Sequence, residues 1–328
     1  MCGLFGYINH GNAISSSTLN SLLRQLAIGA ASRGTDATGI SYNQNNRHII
    51  NKAPVPAHQF SFNLPKNAMP HVVMGHTRRT TQGTERKNHN NHPFKGTLRN
   101  GKHFSLAHNG VLDNDYDLRK EEDLPKTSIE TDSYVAVQLV EKYCDSLSAE
   151  SLVTMAEKVS GMFAFTLLDE LDNFYIVKND SPFYMVYIPQ YRLYVYASTK
   201  DIVNDALKAT KLDKYSHDVI PVEQGEIVEI PFNGEPKKTT FEANNAYYNY
   251  YNPKYAIANA SNYFSAYNEL YDVLASYGLS DDEIDLLFLY YDAAAIWDFV
   301  DAGKVHDILL ECLRTEFHLF KDYTFRRA

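Results

Sequence analysis

Residues 1–8 read Met1-Cys2-Gly3-Leu4-Phe5-Gly6-Tyr7-Ile8. From Gly3 onward this is a short, mostly apolar run that closes on the turn signal Asn9-His10-Gly11, so it predicts a buried strand over residues 2–9. Cys2 follows the initiator methionine, and a small residue in that place favours removal of Met1. A cysteine exposed in this way carries a thiol and a free α-amine on one residue. The amine titrates at about 7.7–8.0 and the thiol at about 8.5, so the first can serve the second as a general base. Cys2 is therefore a candidate nucleophile with a built-in base. The plainer reading is a cysteine that merely opens a strand.

The pattern continues outward from that strand. Ser15 to Ser17 offer N-caps to a helix carrying Leu19, Leu22, Leu23 and Leu26 on one face. A polar loop, Ser32-Arg33-Gly34-Thr35-Asp36-Ala37-Thr38-Gly39, precedes a strand from Ile40 that pairs with the segment around His48 to Asn51, and Arg33 is placed to orient an active-site strand. Val72-Val73-Met74-Gly75-His76-Thr77-Arg78 is apolar and then abruptly basic, a buried strand delivering Arg78 at its end. Residues 79–94 are too rich in Asn, His and Thr to read as core, and a loop of this length is usually functional or disordered. His89 and His92 lack a Cys or carboxylate at ligand spacing, so no metal is expected. Phe104 to Leu112 reads as a further strand, one that stops on the pair Asn109-Gly110. That pair is either a hairpin turn or a side-chain amide beside an unhindered backbone N–H, a two-donor oxyanion hole. Glu130-Thr131-Asp132-Ser133 reads as the cap of a helix with Val135, Leu139 and Val140.

A helix over about 148–159, strands over 161–168, 173–178, 183–188 and 193–198, a short helix over 201–207 and a strand over 225–230 complete the body. Strands, helices and strands again in this order predict two sheets with helices outside. Near residue 240 the composition shifts. Of the 24 tyrosines, 12 stand at or after Tyr247. The expected organisation is a domain over 2–240, a Tyr/Asn-rich linker over 241–262 and a helical tail over 263–328. In the tail, Ser280 to Glu283 has capping-box spacing. Ile284, Leu287, Phe288 and Tyr291 form one apolar face and Val305, Ile308, Leu309 and Cys312 another.

Bulk properties narrow the function. The 328 residues carry 31 Lys and Arg against 40 Asp and Glu, a net charge of -9. An extended nucleic-acid footprint is not expected on such a surface. Three scattered cysteines give neither a disulfide framework nor a metal set and fit a reducing, cytoplasmic setting. No run is long and apolar enough to predict a membrane span, and no leader is read at the N-terminus.

Four pieces, taken in order, resemble the class II glutamine amidotransferase domain, the N-terminal-nucleophile glutaminase of glucosamine-6-phosphate synthase and amidophosphoribosyltransferase. They are Cys2-Gly3-Leu4-Phe5-Gly6, Gly75-His76-Thr77-Arg78, His108-Asn109-Gly110 and Thr131-Asp132. Arg33-Gly34 with Asp36 and Gly39 is similar to the family's early Arg-Gly loop, and Gly161, Ser181-Pro182 and Ala197-Ser198 to its later strand landmarks. The resemblance covers about residues 2–240. It implies an α+β fold, a four-layer αββα sandwich of two antiparallel sheets, here followed by a C-terminal helical appendage.

The resemblance also implies roles. Cys2 attacks the side-chain amide of glutamine, Asn109 and the N–H of Gly110 hold the oxyanion, Arg78 and Thr81 bind the substrate, and Asp132 accepts from its α-ammonium. No cofactor is implied. Arg79 stands where the family commonly has Trp, and Gln82 stands where it often has His, which bears on loop closure. Residues 241–328 are too short for a sugar-isomerase or phosphoribosyltransferase domain, and no phosphate loop is present. The expected partner is a separate ammonia-acceptor enzyme, with homo-oligomers also compatible. The alternative is a catalytically degenerate domain of the same fold that binds or regulates through its aromatic tail.

Overall fold

The computed structural model describes residues 2–11, 13–65 and 69–244, and after them 270, 273–280, 283–284, 287, 296, 299–310 and 312–313. The chain divides into two compact units, Met1–Tyr247 and Tyr248–Ala328.

The first unit is built on two antiparallel sheets. One joins β1 (Gly3–Asn9), β2 (Ala37–Gln44), β3 (Arg47–Ala53), β4 (Val72–Arg78), β9 (Tyr184–Ile188), β10 (Leu193–Ala197) and β11 (Asp218–Ile220), in the order β11-β9-β10-β1-β4-β2-β3. The other joins β5 (Phe94–Thr97), β6 (His103–Leu112), β7 (Gly161–Asp169), β8 (Phe174–Lys178), β12 (Glu226–Ile230) and β13 (Lys237–Thr240), in the order β13-β12-β8-β7-β6-β5. The expected strands are present. β5, β11 and β13 are too short and polar to stand out in the sequence.

Side-chain alternation along each strand explains the layering, because successive residues point to opposite faces of a sheet. On β1, Phe5 and Tyr7 pack outward with the leucines of helix α1 (Ser16–Ala30), while Leu4 and Ile8 point inward. On β4, Val73 faces outward and Val72 and Met74 face inward. On β7, Phe163, Phe165 and Leu167 meet helix α3 (Tyr134–Tyr143) and helix α4 (Val153–Lys158), and Ala164 and Leu168 face the other sheet. Helix α5 (Lys200–Ala209) covers the first sheet beside α1. The result is helices, sheet, sheet, helices: the four-layer αββα sandwich. Helix α1 starts where its side chains dictate, with Ser15 Oγ accepting from the N–H of Thr18.

Phe241 is buried against Phe163 and its N–H reaches Gly225 O, so the core of this unit extends to the first residues of the Tyr/Asn-rich stretch. The remainder of that stretch lies outside the described residues. In the second unit Leu270, Leu274, Leu279, Ile284, Leu287, Ile296, Val305, Leu309 and Cys312 form one apolar cluster. Ser280 makes half of the expected box: its backbone N–H donates to Glu283 Oε2 at 2.8 Å, while its hydroxyl donates to the same oxygen and the Glu283 N–H goes to Ser280 O. Phe288 and Tyr291 lie outside the described residues. Among the described residues, no helix is long and apolar enough to cross a membrane.

Candidate active site

The same alternation places three candidate residues. Cys2 shares the inward parity of Leu4, Arg78 that of Val72, Met74 and His76, and Asn109 that of Ser105 and Ala107. All three therefore sit between the sheets. Gly3 pairs with Thr77 across β1 and β4, which brings Cys2 to the end of β4. The contacts there are specific. The N–H of Arg79 donates to Cys2 Sγ at 3.4 Å, and the thiol donates to Arg79 O at 3.5 Å. Arg33 Nε donates to Cys2 O at 2.8 Å, so the early Arg-Gly loop does orient the strand. Burial pushes the Cys2 thiol up, opposed by the Arg79 N–H and by the charge of Arg78.

A cleft is bordered by Cys2, Arg78, Thr81, His108, Gly110 and Asp132. Five of the six candidate residues thus meet in one place. The free volume is about 10 Å³, room for about a single water. The guanidinium of Arg78 is already engaged: Nη1 donates to Asn91 Oδ1 at 2.8 Å, and Nη2 to Gln82 O at 2.5 Å and Gly83 O at 3.4 Å. Thr81 is exposed at the rim.

The sixth residue behaves differently. Asn109 is fully buried and is not among the residues that border the cleft. Nδ2 lies 3.4 Å from Ser198 Oγ and 3.5 Å from Pro182 O, while Oδ1 has no partner. Asn109-Gly110 is not a hairpin turn, because β6 runs on through Leu112 paired with β7. Gly110 has φ +145°, and a Cβ there would stand 1.9 Å from Met162 O, so only glycine keeps its N–H at this point of the strand. Asp132 is not a helix cap either. Its Oδ2 accepts from the N–H of Leu112 at 2.8 Å and its Oδ1 from the Ser133 hydroxyl at 3.2 Å, so it ties the end of β6 to the start of α3.

Residues 79–94 correct the reading of that stretch as too polar for core. Asn90, Asn91 and His92 are buried. Asn90 bonds Thr84 O, Glu130 Oε2 and the Glu130 N–H, and Asn91 bonds Glu85 O and Arg78. These amides replace backbone pairing and hold the loop as a built wall. His92 stacks on His76 at 4.2 Å and on Phe94 at 4.3 Å between ring centroids, and both of its ring nitrogens lack partners. His76 Nε2 donates to His108 O across the two sheets at 2.9 Å, and His108 Nδ1 meets the Ser133 hydroxyl at 2.8 Å. Burial holds all three rings neutral, His76 at about 3. His89 is exposed. Among the described residues, no three His, Cys, Asp or Glu side chains are placed to hold a metal.

A larger cavity of about 510 Å³ lies elsewhere, between Lys178, Asp180, Phe183, Val222 and Lys200. It lacks Cys2, yet Ser198 and Pro182, the two neighbours of the Asn109 amide, line its wall.

Residues 77–204 match the family model described as "Glutamine amidotransferase domain". The chain contains a class II glutamine amidotransferase domain. Among curated relatives, the glutamine–fructose-6-phosphate aminotransferase (isomerizing) of Listeria innocua is 34% identical over 188 residues, 56% of this chain and 29% of that protein. The enzyme of the same name from Staphylococcus aureus is 32% identical over 241 residues, 70% of this chain and 37% of that protein. The chain therefore spans only 29% and 37% of the length of these relatives. The glutamine phosphoribosylpyrophosphate amidotransferase from B. subtilis, solved with ADP and GMP, shares the fold with TM-score 0.57 at 22% identity, over 74% of this chain and 50% of that one. A structure described as the allosteric regulatory enzyme of purine biosynthesis shares it with TM-score 0.58 at 21% identity, over the same shares.

Proposed function

We propose that this amidotransferase domain hydrolyses the side-chain amide of glutamine through a thioester on Cys2. The observation that carries the reading is the meeting of Cys2, Arg78, Gly110 and Asp132 around one cleft. Burial keeps the Cys2 sulfur protonated at neutral pH, so attack needs a base. The α-amine exposed on removal of Met1 is the group at hand, directly or through the one water the cleft admits. The sulfur adds to the amide carbon, and the oxyanion is held by the N–H of Gly110 and by the amide of Asn109. A donor of this kind is worth roughly 3–4 kcal/mol of transition-state stabilisation. Ammonia leaves, and water then releases glutamate from the thioester.

Arg78 presents the planar fork that suits an α-carboxylate. In the structure that fork is filled by Gln82 O and Gly83 O. A substrate carboxylate competes with those carbonyls, so entry requires the segment around Thr81 to Gly83 to move. Asp132 serves the α-ammonium. The ammonia goes to a separate acceptor enzyme, and the free state of Cys2, Cys144 and Cys312 suits a reducing, cytoplasmic compartment. The test is glutamate release from glutamine by the full chain with Met1 removed, with Cys2→Ala as control. Release above the control is expected. Equal background in both sinks the reading and leaves a binding role for the domain.

A further inference from the structure

We propose that Ser198 is a positioning residue that turns the carboxamide of Asn109 so that its Nδ2–H faces the reacting carbonyl. The proposal rests on the reading of Asn109 as an oxyanion donor given above.

Ser198 follows β10 and is 1% exposed. Strand β1 holds it at two points: its Oγ accepts from the N–H of Leu4 at 2.8 Å, and its own N–H donates to Leu4 O at 3.0 Å. Leu4 stands two residues from Cys2, so Ser198 is registered to the strand that carries the nucleophile. A hydroxyl has one proton and two lone pairs. The Leu4 N–H takes one lone pair, which leaves the proton to point elsewhere. What stands opposite is the Asn109 amide, with Nδ2 at 3.4 Å, while Oδ1 is buried without a partner.

This arrangement sets a donor against a hydroxyl that already accepts from the Leu4 N–H, and it strands an acceptor. A buried polar group is left unmade, which is costly in a dry interior. The contacts that favour it are long, 3.4 and 3.5 Å, and weak. A half-turn of the amide exchanges them for a bond from the Ser198 hydroxyl to Asn109 Oδ1 across the same 3.4 Å, which gives the hydroxyl proton and the stranded oxygen each a partner at the cost of the long contact to Pro182 O. It also moves Nδ2 to the position Oδ1 now holds, where the oxygen meets no protein partner. The relay then runs from the Leu4 N–H to Ser198, to Asn109, to the oxyanion, each bond polarising the next. Ser198 touches no substrate in this scheme; it selects which end of Asn109 does.

A double-mutant cycle tests it on the full processed chain, using Ser198→Ala, Asn109→Ala and the pair. Ser198→Ala is expected to lower kcat for glutamine roughly tenfold to a hundredfold, somewhat less than loss of an oxyanion donor itself. KM is expected to stay within about threefold, and the rate of Cys2 alkylation by iodoacetamide to match the parent, since neither needs the oxyanion site. In the Asn109→Ala background, adding Ser198→Ala is expected to cost less than about twofold. Ser198→Thr keeps the hydroxyl and recovers kcat. Ser198→Cys fills the same space with a weak donor and follows Ala, which covers the case where the smaller residue fails to fold. An equal loss in both backgrounds, a rise in KM alone, or an unchanged kcat overturns the role of Ser198. A parent protein that releases no glutamate overturns instead the glutaminase reading on which it stands.

Discussion

The backbone of Arg79 brackets the sulfur of Cys2, its N–H donating at 3.4 Å and its carbonyl accepting the thiol at 3.5 Å. The pair defines the ground state of the nucleophile. A carbonyl that accepts from sulfur favours the thiol, and an N–H that donates to it favours the thiolate. Burial, the largest influence, adds to the first and pushes the Cys2 thiol up. The side chain of Arg79 is exposed and takes no part, so exchange of the family's usual Trp for Arg leaves this bracket intact.

Alkylation kinetics follow from that balance. Iodoacetamide reacts with the thiolate, so the rate at Cys2 is expected to climb across pH 7 to 9 without a plateau below about 8.5. Peptide mapping separates Cys2 from Cys144 and Cys312, both buried. A plateau already reached by pH 7 contradicts a protonated resting state and with it the need for the α-amine as base.

Asn91 governs the substrate clamp. Its Oδ1 fixes Arg78 Nη1 while its Nδ2 holds Glu85 O, so one side chain sets both the plane of the guanidinium and the path of the loop above it. Asn91→Ala leaves Arg78 without that restraint. A hydrogen bond to a charged group is worth about 1.5–3 kcal/mol, and about 1.4 kcal/mol is tenfold. The expected result is a rise of roughly tenfold in KM for glutamine with kcat within about threefold, read from steady-state glutamate release. A fall in kcat at unchanged KM assigns Asn91 to the chemical step and removes Arg78 from the role of clamp.

Legibility in the sequence ended where contacts stopped being local. The strands that carry Cys2, Arg78 and Asn109 were legible because an apolar run is a property of a single segment, but the faces these residues take came only with the packing of the two sheets, since β1 and β4 are buried on both sides. The helix of Ser16–Ala30 was readable from its cap and its leucines. Asp132 was misread as a cap because a carboxylate before a helix has a local use, and its bond to the Leu112 N–H joins residues twenty apart. Asn90 and Asn91 look like solvent-facing loop. Only the folded chain shows that Glu130, Thr84 and Arg78 surround them. Ser198 gave no chemical signal beyond a family landmark, since its meaning lies in Leu4 and Asn109, far away in sequence.

The neutral histidines make stability depend on pH in a definite direction. His76, His92 and His108 are buried, and burial pushes each below the ordinary value, His76 to about 3. In the unfolded chain each takes a proton near pH 6.5. Below that pH the unfolded state binds more protons than the folded one, so stability falls as pH falls. The contribution is fully present above about pH 7 and erodes from there toward the low folded values. Each such ring adds up to about 1.4 kcal/mol per pH unit to the slope. His92 is the informative one to change, because neither of its ring nitrogens has a partner to lose. His92→Leu is expected to make the fall in unfolding free energy between pH 6 and pH 5 shallower by about that amount, with little loss at pH 7.5. Urea unfolding at pH 7.5, 6 and 5 reads the slope directly. Parallel slopes in the parent and the variant mean that His92 titrates alike in the folded and unfolded chains, which its burial against His76 and Phe94 does not allow.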